Sequence, residues 1–351
     1  MGLPEIIIDF KTKSSTAITR SSRGVVAMIL KDDTDINITR YNYTSLVKVD
    51  KEKFSEDSND YIEQVFKDNL NKVIIERITE ENTLEKALDN LSKESFNYLC
   101  YPAPQNDDNQ KIVSFIKEQR KKGKVFKAVL SNIDADYEGI INYISTCTDN
   151  TGKVYTPDKF VSRISGILAS MPFTRSSTYY ELKDILDVEN ISDPSTEIDK
   201  GKLILIKDDG VVKIARGINS LITQVKSEDS LKKIRVVEIL DMIKEDIYKT
   251  VKDNYIGKVS NTYDNKMICI SSINSYLEEL KSNGILEGDN RVDIDIDAHR
   301  SYLMSIGKTE EEVNQMDETN LRKCNVGSNL YLTGSIKPVD CIEDIKINFN
   351  I

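Results

Sequence analysis

KVIIERITEENTLEKALDNLSKESFNYLCYPAPQNDDNQKIVSFIKEQRKKGKVFKAVL, residues 72–130, holds three short apolar runs separated by two stretches with helical spacing. KVIIERI (72–78), FNYLCY (96–101) and VFKAVL (125–130) are rich in β-branched and aromatic residues and read as buried strands. NTLEKALDNLSK lies between the first two and reads as a helix. A second helix is predicted from about Asp107 to Lys122, with Ile112, Phe115 and Ile116 on one face and Gly123 as its stop. Pro102 and Pro104 form a turn that closes the middle strand. Strand–helix–strand units of this length argue for a parallel or mixed sheet flanked by helices. VVAMIL, from Val25, adds a strand, so the α/β pattern runs from about Val25 to Asn132.

Farther along, TPDKFVSRISGILAS (156–170) reads as a helix with Pro157 in its first turn, ended by MPFTRSSTYYEL. KLILIKDDGVVKIA (202–215) is two apolar runs around Asp208-Asp209-Gly210, a hairpin signal. The style changes after about Gly217. Residues 232–254 and 262–283 read as long amphipathic helices, the second ended by Gly284. RVDIDID (291–297) alternates as a strand, 298–323 is helical in pieces, and VGSNLYLTGSIKPVD reads as extended.

The two ends stand apart. In EIIIDF (5–10), Ile6, Ile8 and Phe10 fall on one face, and the polar stem KTKSSTAITRSSRG follows. In CIEDIKINFN with Ile351, the residues Ile345, Ile347, Phe349 and Ile351 alternate with Lys346, Asn348 and Asn350. A terminal strand on a polar stem suits β-augmentation, in which one subunit completes a neighbour's sheet. Pairing within the chain is the alternative, and pattern alone favours it.

The chain has 351 residues, enough for about two domains. Its apolar fraction of 39% supports real cores, and no run reaches the length of a spanning helix. The start shows no basic region followed by an apolar stretch, so no secretory signal is expected. The formal net charge is −10, spread along the chain, which disfavours nucleic acid as the main ligand. The five cysteines are far apart and form no CxxC pair, which points to reduced thiols. A single histidine, His299, excludes multi-histidine metal centres.

Phosphate-loop, GxGxxG and GxSxG patterns are absent. The strongest chemical cluster is Asp293, Asp295, Asp297 and His299. On one strand face, three carboxylates and an imidazole would hold a divalent metal, as in a metal-dependent hydrolase. A solvated strand face is the favoured alternative, with Asp297 capping the helix that follows. TRSST (174–178) sets an arginine among hydroxyls and reads as an anion site or, in preference, a hydrogen-bonded turn. The basic run KEQRKKGKVFK (117–127) reads as a solvated helix end. Thr309 and Glu312 have capping-box spacing. None of this is a catalytic constellation, and no cofactor is expected.

The opening MGLPEIIIDFK, the segment ISGILASMPFTRSSTYYELKDILDVE (164–189), ARGINSLIT (215–223) and IRVVEILDMIKEDIYKTV (234–251) together resemble the tail sheath proteins of contractile phage tails, nearest to the short sheaths of clostridial prophage tails and diffocin-type contractile bacteriocins. The resemblance covers nearly the whole chain and contains no catalytic motif. It implies an α/β (α+β) fold: an inner sandwich-like domain built from both chain ends, with extended terminal strand arms, and an inserted outer α/β domain. The corresponding division is an N-terminal arm (1–20), an outer domain (21–195), an inner domain (196–335) and a C-terminal arm (336–351).

The resemblance further implies a structural, non-enzymatic subunit that polymerises helically around a tail tube. Ile6, Ile8 and Phe10 would be one exchanged strand and Ile345, Ile347 and Phe349 the other. Contraction from a metastable extended lattice would drive the tube through an envelope without nucleotide. The implied partners are further copies of the chain, the tube protein, and baseplate and terminator proteins, with no nucleic acid and no membrane insertion. Assembly would take place in the bacterial cytoplasm, followed by release of a particle. Arg300, Lys308, Arg322 and Lys323 are candidate tube contacts, with ordinary solvated helix charge as the favoured alternative.

Overall fold

A computed structural model describes residues 18, 23–105, 107–223 and 229–350. The chain packs as two compact units. The described residues of the first fall within 23–245 and 340–350, and those of the second are 18 and 246–339.

The elements of the first unit run β1 (Val25–Lys31), β2 (Arg40–Tyr43), α1 (Glu56–Val65), β3 (Lys72–Ile78), α2 (Leu84–Ser92), β4 (Tyr98–Cys100), α3 (Asp108–Lys121), β5 (Lys127–Ser131), β6 (Ile140–Tyr143), β7 (Cys147–Asp149), β8 (Val154–Tyr155), α4 (Pro157–Ser170), β9 (Ile185–Val188), α5 (Pro194–Asp199), β10 (Lys202–Leu203), β11 (Leu205–Asp208) and β12 (Val211–Ile214). Seven strands form one sheet in the order β10-β6-β5-β4-β1-β3-β2, parallel except for β2, which pairs antiparallel with β3. Buried on both faces, the central strands carry near-continuous apolar runs. In β1 the alternation divides the cores. Val26 and Met28 join Ile62, Phe160, Ile164 and Ile167 of α1 and α4. Ala27 and Ile29 join Leu88, Ile112 and Ile116 of α2 and α3 on the opposite face.

Helices α1 and α4 approach closely at Gly166, where an added Cβ would lie 2.5 Å from the Val65 carbonyl oxygen. The hairpin of β11 and β12 turns on Asp209 (φ 49°) and Gly210 (φ 78°), the two positive φ values a two-residue turn requires. The apolar run at 202 is not one strand, however. β10 pairs in parallel with β6, and only β11 enters the hairpin. β10 thus lies in the first unit, whose described residues run on to 245.

Helix α6 (Ile234–Asn254) begins in the first unit and ends in the second. Its N-terminal half carries Glu238 and Asp241 into a buried ionic cluster. Asp241 accepts both arms of the Arg120 guanidinium, at 2.8 and 3.0 Å, and Lys127 Nζ at 2.9 Å. Lys127 also lies 3.1 Å from Glu238, which accepts the Tyr98 hydroxyl at 2.6 Å. The Lys127 side chain is 1% exposed. Burial pulls its ammonium down to about 8 against the attraction of Asp241. Burial opposes ionisation of Asp241 too, but Lys127 and Arg120 hold its carboxyl below the usual range.

The second unit holds α7 (Tyr263–Ser282), β13 (Arg291–Ile294), α8 (Ile296–Ser305), α9 (Glu310–Asn314), α10 (Glu318–Lys323) and β14 (Leu332–Ser335). Leu303, Val313 and Leu321 form the small core of the last three helices. Thr309 and Glu312 make both bonds of a capping box. Among the described residues no helix is long and apolar enough to cross a membrane.

Candidate functional site

Two features are described in turn, the segment 340–350 of the first unit and the two-stranded sheet of β13 and β14 in the second.

The segment has no regular secondary structure. Its root is fixed by one side chain. The Glu343 carboxylate accepts the Ser176 hydroxyl at 2.9 Å and the Thr178 hydroxyl at 2.6 Å, and it pairs with Lys233. Arg216 Nη1 lies 3.8 Å away. Lys233 also reaches Asp340 at 3.3 Å, and Arg216 pairs with Asp344. The Glu343 side chain is 4% exposed. Burial works against its ionisation, but hydrogen bonds from Lys233, Thr178 and Ser176 keep the carboxyl below its ordinary range. Beyond this root the apolar alternation stands in solvent: Ile345 is 77% exposed, Ile347 66% and Phe349 85%.

The TRSST segment therefore satisfies both readings of it. Ser176 Oγ accepts the Thr178 backbone N–H at 3.1 Å, a hydroxyl turn, and the same hydroxyls bind an anion, the chain's own carboxylate. Sequence reasoning did not connect the two. The available signal was a pair of acids, Glu343 and Asp344, between Ile342 and Ile345 of an alternating tail.

In the sheet, β13 and β14 pair antiparallel, Asp293 opposite Thr333. The Asp295 N–H bonds the Tyr331 carbonyl at 3.0 Å, so the odd-numbered residues of β13 point their backbone groups at β14 and Val292 and Ile294 point away. That outer edge is already occupied. The Asn274 side chain of α7 donates to the Val292 carbonyl at 3.0 Å and accepts the Val292 N–H at 2.8 Å. Asp293 Oδ1 accepts the Ile294 N–H at 2.8 Å. By the same alternation Leu332 and Gly334 of β14 direct their backbone groups away from β13, on an edge that no other strand pairs among the described residues.

The acidic stretch is not a metal strand. β13 ends at Ile294, and Asp295 caps α8 by accepting the Ala298 N–H at 2.8 Å. Asp297 and His299 therefore lie on a helix, with a different periodicity from the strand that carries Asp293. The cap is Asp295, not Asp297. Asp293 pairs with Arg322. His299 is fully buried, its Nδ1 2.8 Å from the Leu321 carbonyl oxygen, packing α8 on α10. Among the described residues no three His, Cys, Asp or Glu side chains come together to hold an ion.

The four candidate tube contacts lie in the second unit. Arg300 is on α8 and half-buried, Lys308 follows α8 and is exposed, and Arg322 and Lys323 are on α10. Arg322 is engaged by Asp293 and, at 3.5 Å, by Glu318. Lys323 is exposed and sits over the Tyr263 ring at 5.7 Å. Ile6, Ile8 and Phe10 lie outside the described residues. A basic cleft in the first unit, lined by Lys67, Arg163 and Arg175, has its first two cations paired with Asp184, and Arg163 also pairs with Asp68.

Comparison with known proteins matches this architecture. The model of the phage tail sheath protein central domain matches residues 77–220, and that of the phage tail sheath C-terminal domain matches 226–351. The tail sheath protein of Clostridium phage phiCD119 is 36% identical over 360 residues, covering 99% of this chain and 98% of that one. The phage-like element PBSX protein XkdK of Bacillus subtilis is 30% identical over 167 residues, 45% of this chain and 36% of that one. A sheath tail protein from Listeria innocua superposes with a TM-score of 0.71 at 18% identity, covering 93% of this chain and 94% of that one. The helical sheath of the anti-feeding prophage in its contracted state gives 0.69 at 13% identity, covering 100% and 99%.

Proposed function

The chain belongs to the phage tail sheath family, as a structural subunit of a contractile sheath and not an enzyme, and from that premise we propose that its copies join by exchanging terminal strands into a helical sheath around a tail tube. The carrying observation is the run Ile345, Ile347 and Phe349, alternately spaced, apolar and exposed beyond an anchored root. A soluble protein leaves such a strand uncovered only at a cost that a partner removes. The donated strand of one subunit adds to the β14 edge of another. The β13 edge is a poor acceptor, because Asn274 holds the Val292 backbone groups. Each added backbone hydrogen bond contributes roughly 0.5–1.5 kcal/mol. Each buried Ile or Phe contributes roughly 1.5–3 kcal/mol more.

Ile6, Ile8 and Phe10 supply the second exchanged strand. The division into strand-donating ends, an inner part that carries the acceptor sheet and an outer α/β part follows the same scheme. Lys308 and Lys323, with Arg300 and Arg322 near them in sequence, face the tube protein. The sheath meets baseplate and terminator proteins at its ends, assembles in the bacterial cytoplasm, and contracts from an extended lattice to drive the tube through a cell envelope. A difference of a few kcal/mol per subunit, multiplied over the lattice, is sufficient drive.

Negative-stain electron microscopy tests this. The full chain is compared with a variant lacking residues 1–12 and with I345S/I347S/F349S. Tubes or rings from the full chain and monomers from both variants are expected. Equal assembly by all three sinks strand exchange.

A further inference from the structure

Resting on that strand-exchange reading, we propose that the Glu343 socket is the positioning site of the C-terminal arm: a built carboxylate receptor that fixes where the arm leaves the body and so where its apolar strand is presented. Three separate segments of one unit form it. Ser176 and Thr178 come from the loop after α4, Arg216 from the end of the β12 hairpin, and Lys233 from the residue before α6. Gly217 is required for the fit. Its backbone N–H donates to Thr178 Oγ1 at 2.9 Å, and a Cβ there would stand 2.3 Å from Ser177 Oγ and 3.3 Å from Ser176 Oγ. The hydroxyl that Gly217 orients is the one that donates to Glu343.

The position of the socket along the chain gives it a role. Anchoring involves Asp340, Glu343 and Asp344, and it ends one residue before Ile345, where the exposed alternation begins. The Glu343 carboxylate is buried and multiply bonded inside a segment, 340–350, whose other side chains are exposed or half-buried. Its effect is on the arm. Fixing the root shrinks the volume the strand must search and sets which residues face outward, which raises the effective concentration of strand at the acceptor edge. Lys233 and Arg216 supply charge, and the two hydroxyls supply direction, so a glutamine would keep part of the geometry while losing the ion pairs.

The test uses the full chain and two readouts, the backbone order of residues 340–344 in the monomer by NMR relaxation and the protein concentration at which polymer appears. E343A and, from the socket side, S176A/T178V and G217A are compared with wild type, with E343Q as the conservative variant. In E343A the order parameters of residues 340–344 fall below about 0.6 and the polymerisation threshold rises about tenfold, with E343Q in between. Unchanged exchange of the β4 and β5 amides establishes that the body is intact. If E343A and S176A/T178V polymerise at the wild-type threshold, or the order of their residues 340–344 matches wild type, the positioning role is overturned. Failure of the underlying reading is distinguishable. I345S/I347S/F349S would then polymerise at the wild-type threshold as well, whatever Glu343 does to the root.

Discussion

Replacing Asp241 with Asn tests whether the N-terminal half of α6 is held by its buried charges. Asp241 accepts a bidentate pair from Arg120 and a third bond from Lys127, in a site where the Lys127 and Asp241 side chains are 1% and 6% exposed. Asparagine keeps the shape and one acceptor, but it turns an amide donor toward two cations. Lys127 retains Glu238 at 3.1 Å and Arg120 retains Glu138 at 3.4 Å, so neither charge is stranded completely. Removing one partner of a buried pair costs about 3–5 kcal/mol, and the residual pairs place D241N near the lower end. With a urea dependence of about 1–3 kcal/mol per molar, a loss of about 3 kcal/mol lowers the midpoint by about 1–3 M. The chain has no tryptophan, so circular dichroism follows the melt. Amide exchange of β4, β5 and the first turns of α6 localises the loss. K51M removes an exposed pair with Glu63 and serves as the control, expected within about 1 kcal/mol of wild type. A D241N shift no larger than that of K51M would refute the reasoning. K127M/D241L, which replaces the pair with apolar side chains, should recover much of the loss.

Other expectations follow from single contacts. G166A should destabilise the first unit by about 1–3 kcal/mol, because overpacking against the Val65 carbonyl outweighs alanine's higher helix propensity; a thermal melt reads it. Asp32 accepts the Thr34 and Ser55 N–H groups at 2.9 and 2.8 Å. Burial opposes its charge, but these bonds and those of the Ser58 and Ser55 side chains lower its carboxyl to about 2. Its folded value lies below its unfolded one. The stabilisation, on the order of 2 kcal/mol, is therefore present above about pH 4 and lost as pH falls toward 2. D32N should be less stable by that amount at pH 7, with the gap to wild type closing in acid titrations. D295A should cost about 1 kcal/mol by loss of the α8 cap, and the loss should be insensitive to added divalent cations or chelator in a melt.

Much of the fold was legible wherever one local rule sufficed. KVIIERI is a strand over the stated residues, and α3, α4, α6 and α7 each end within two residues of their expected limits. The Asp-Asp-Gly turn and the Thr309 capping box depend only on neighbouring residues, and both appear as expected. Readings failed where tertiary contacts decided. RVDIDID alternates throughout, yet Asp295 finds the Ala298 N–H and the chain turns helical at Ile296. KLILIKD is one apolar run, yet it is shared between two sheets, because β6 offers a parallel edge that no local pattern reveals. The Glu343 socket assembles residues 167 and 110 positions apart, which spacing alone does not connect.

The Asn274 side chain laid along β13 has a consequence for valence. A bare two-stranded sheet has two edges and accepts strands on either side in either order. With one edge occupied, an incoming strand has a single place to start, and any further strand must build upon the one before it. On the strand-exchange proposal each subunit then offers a donated strand one side of this sheet rather than two, and so takes one donor there.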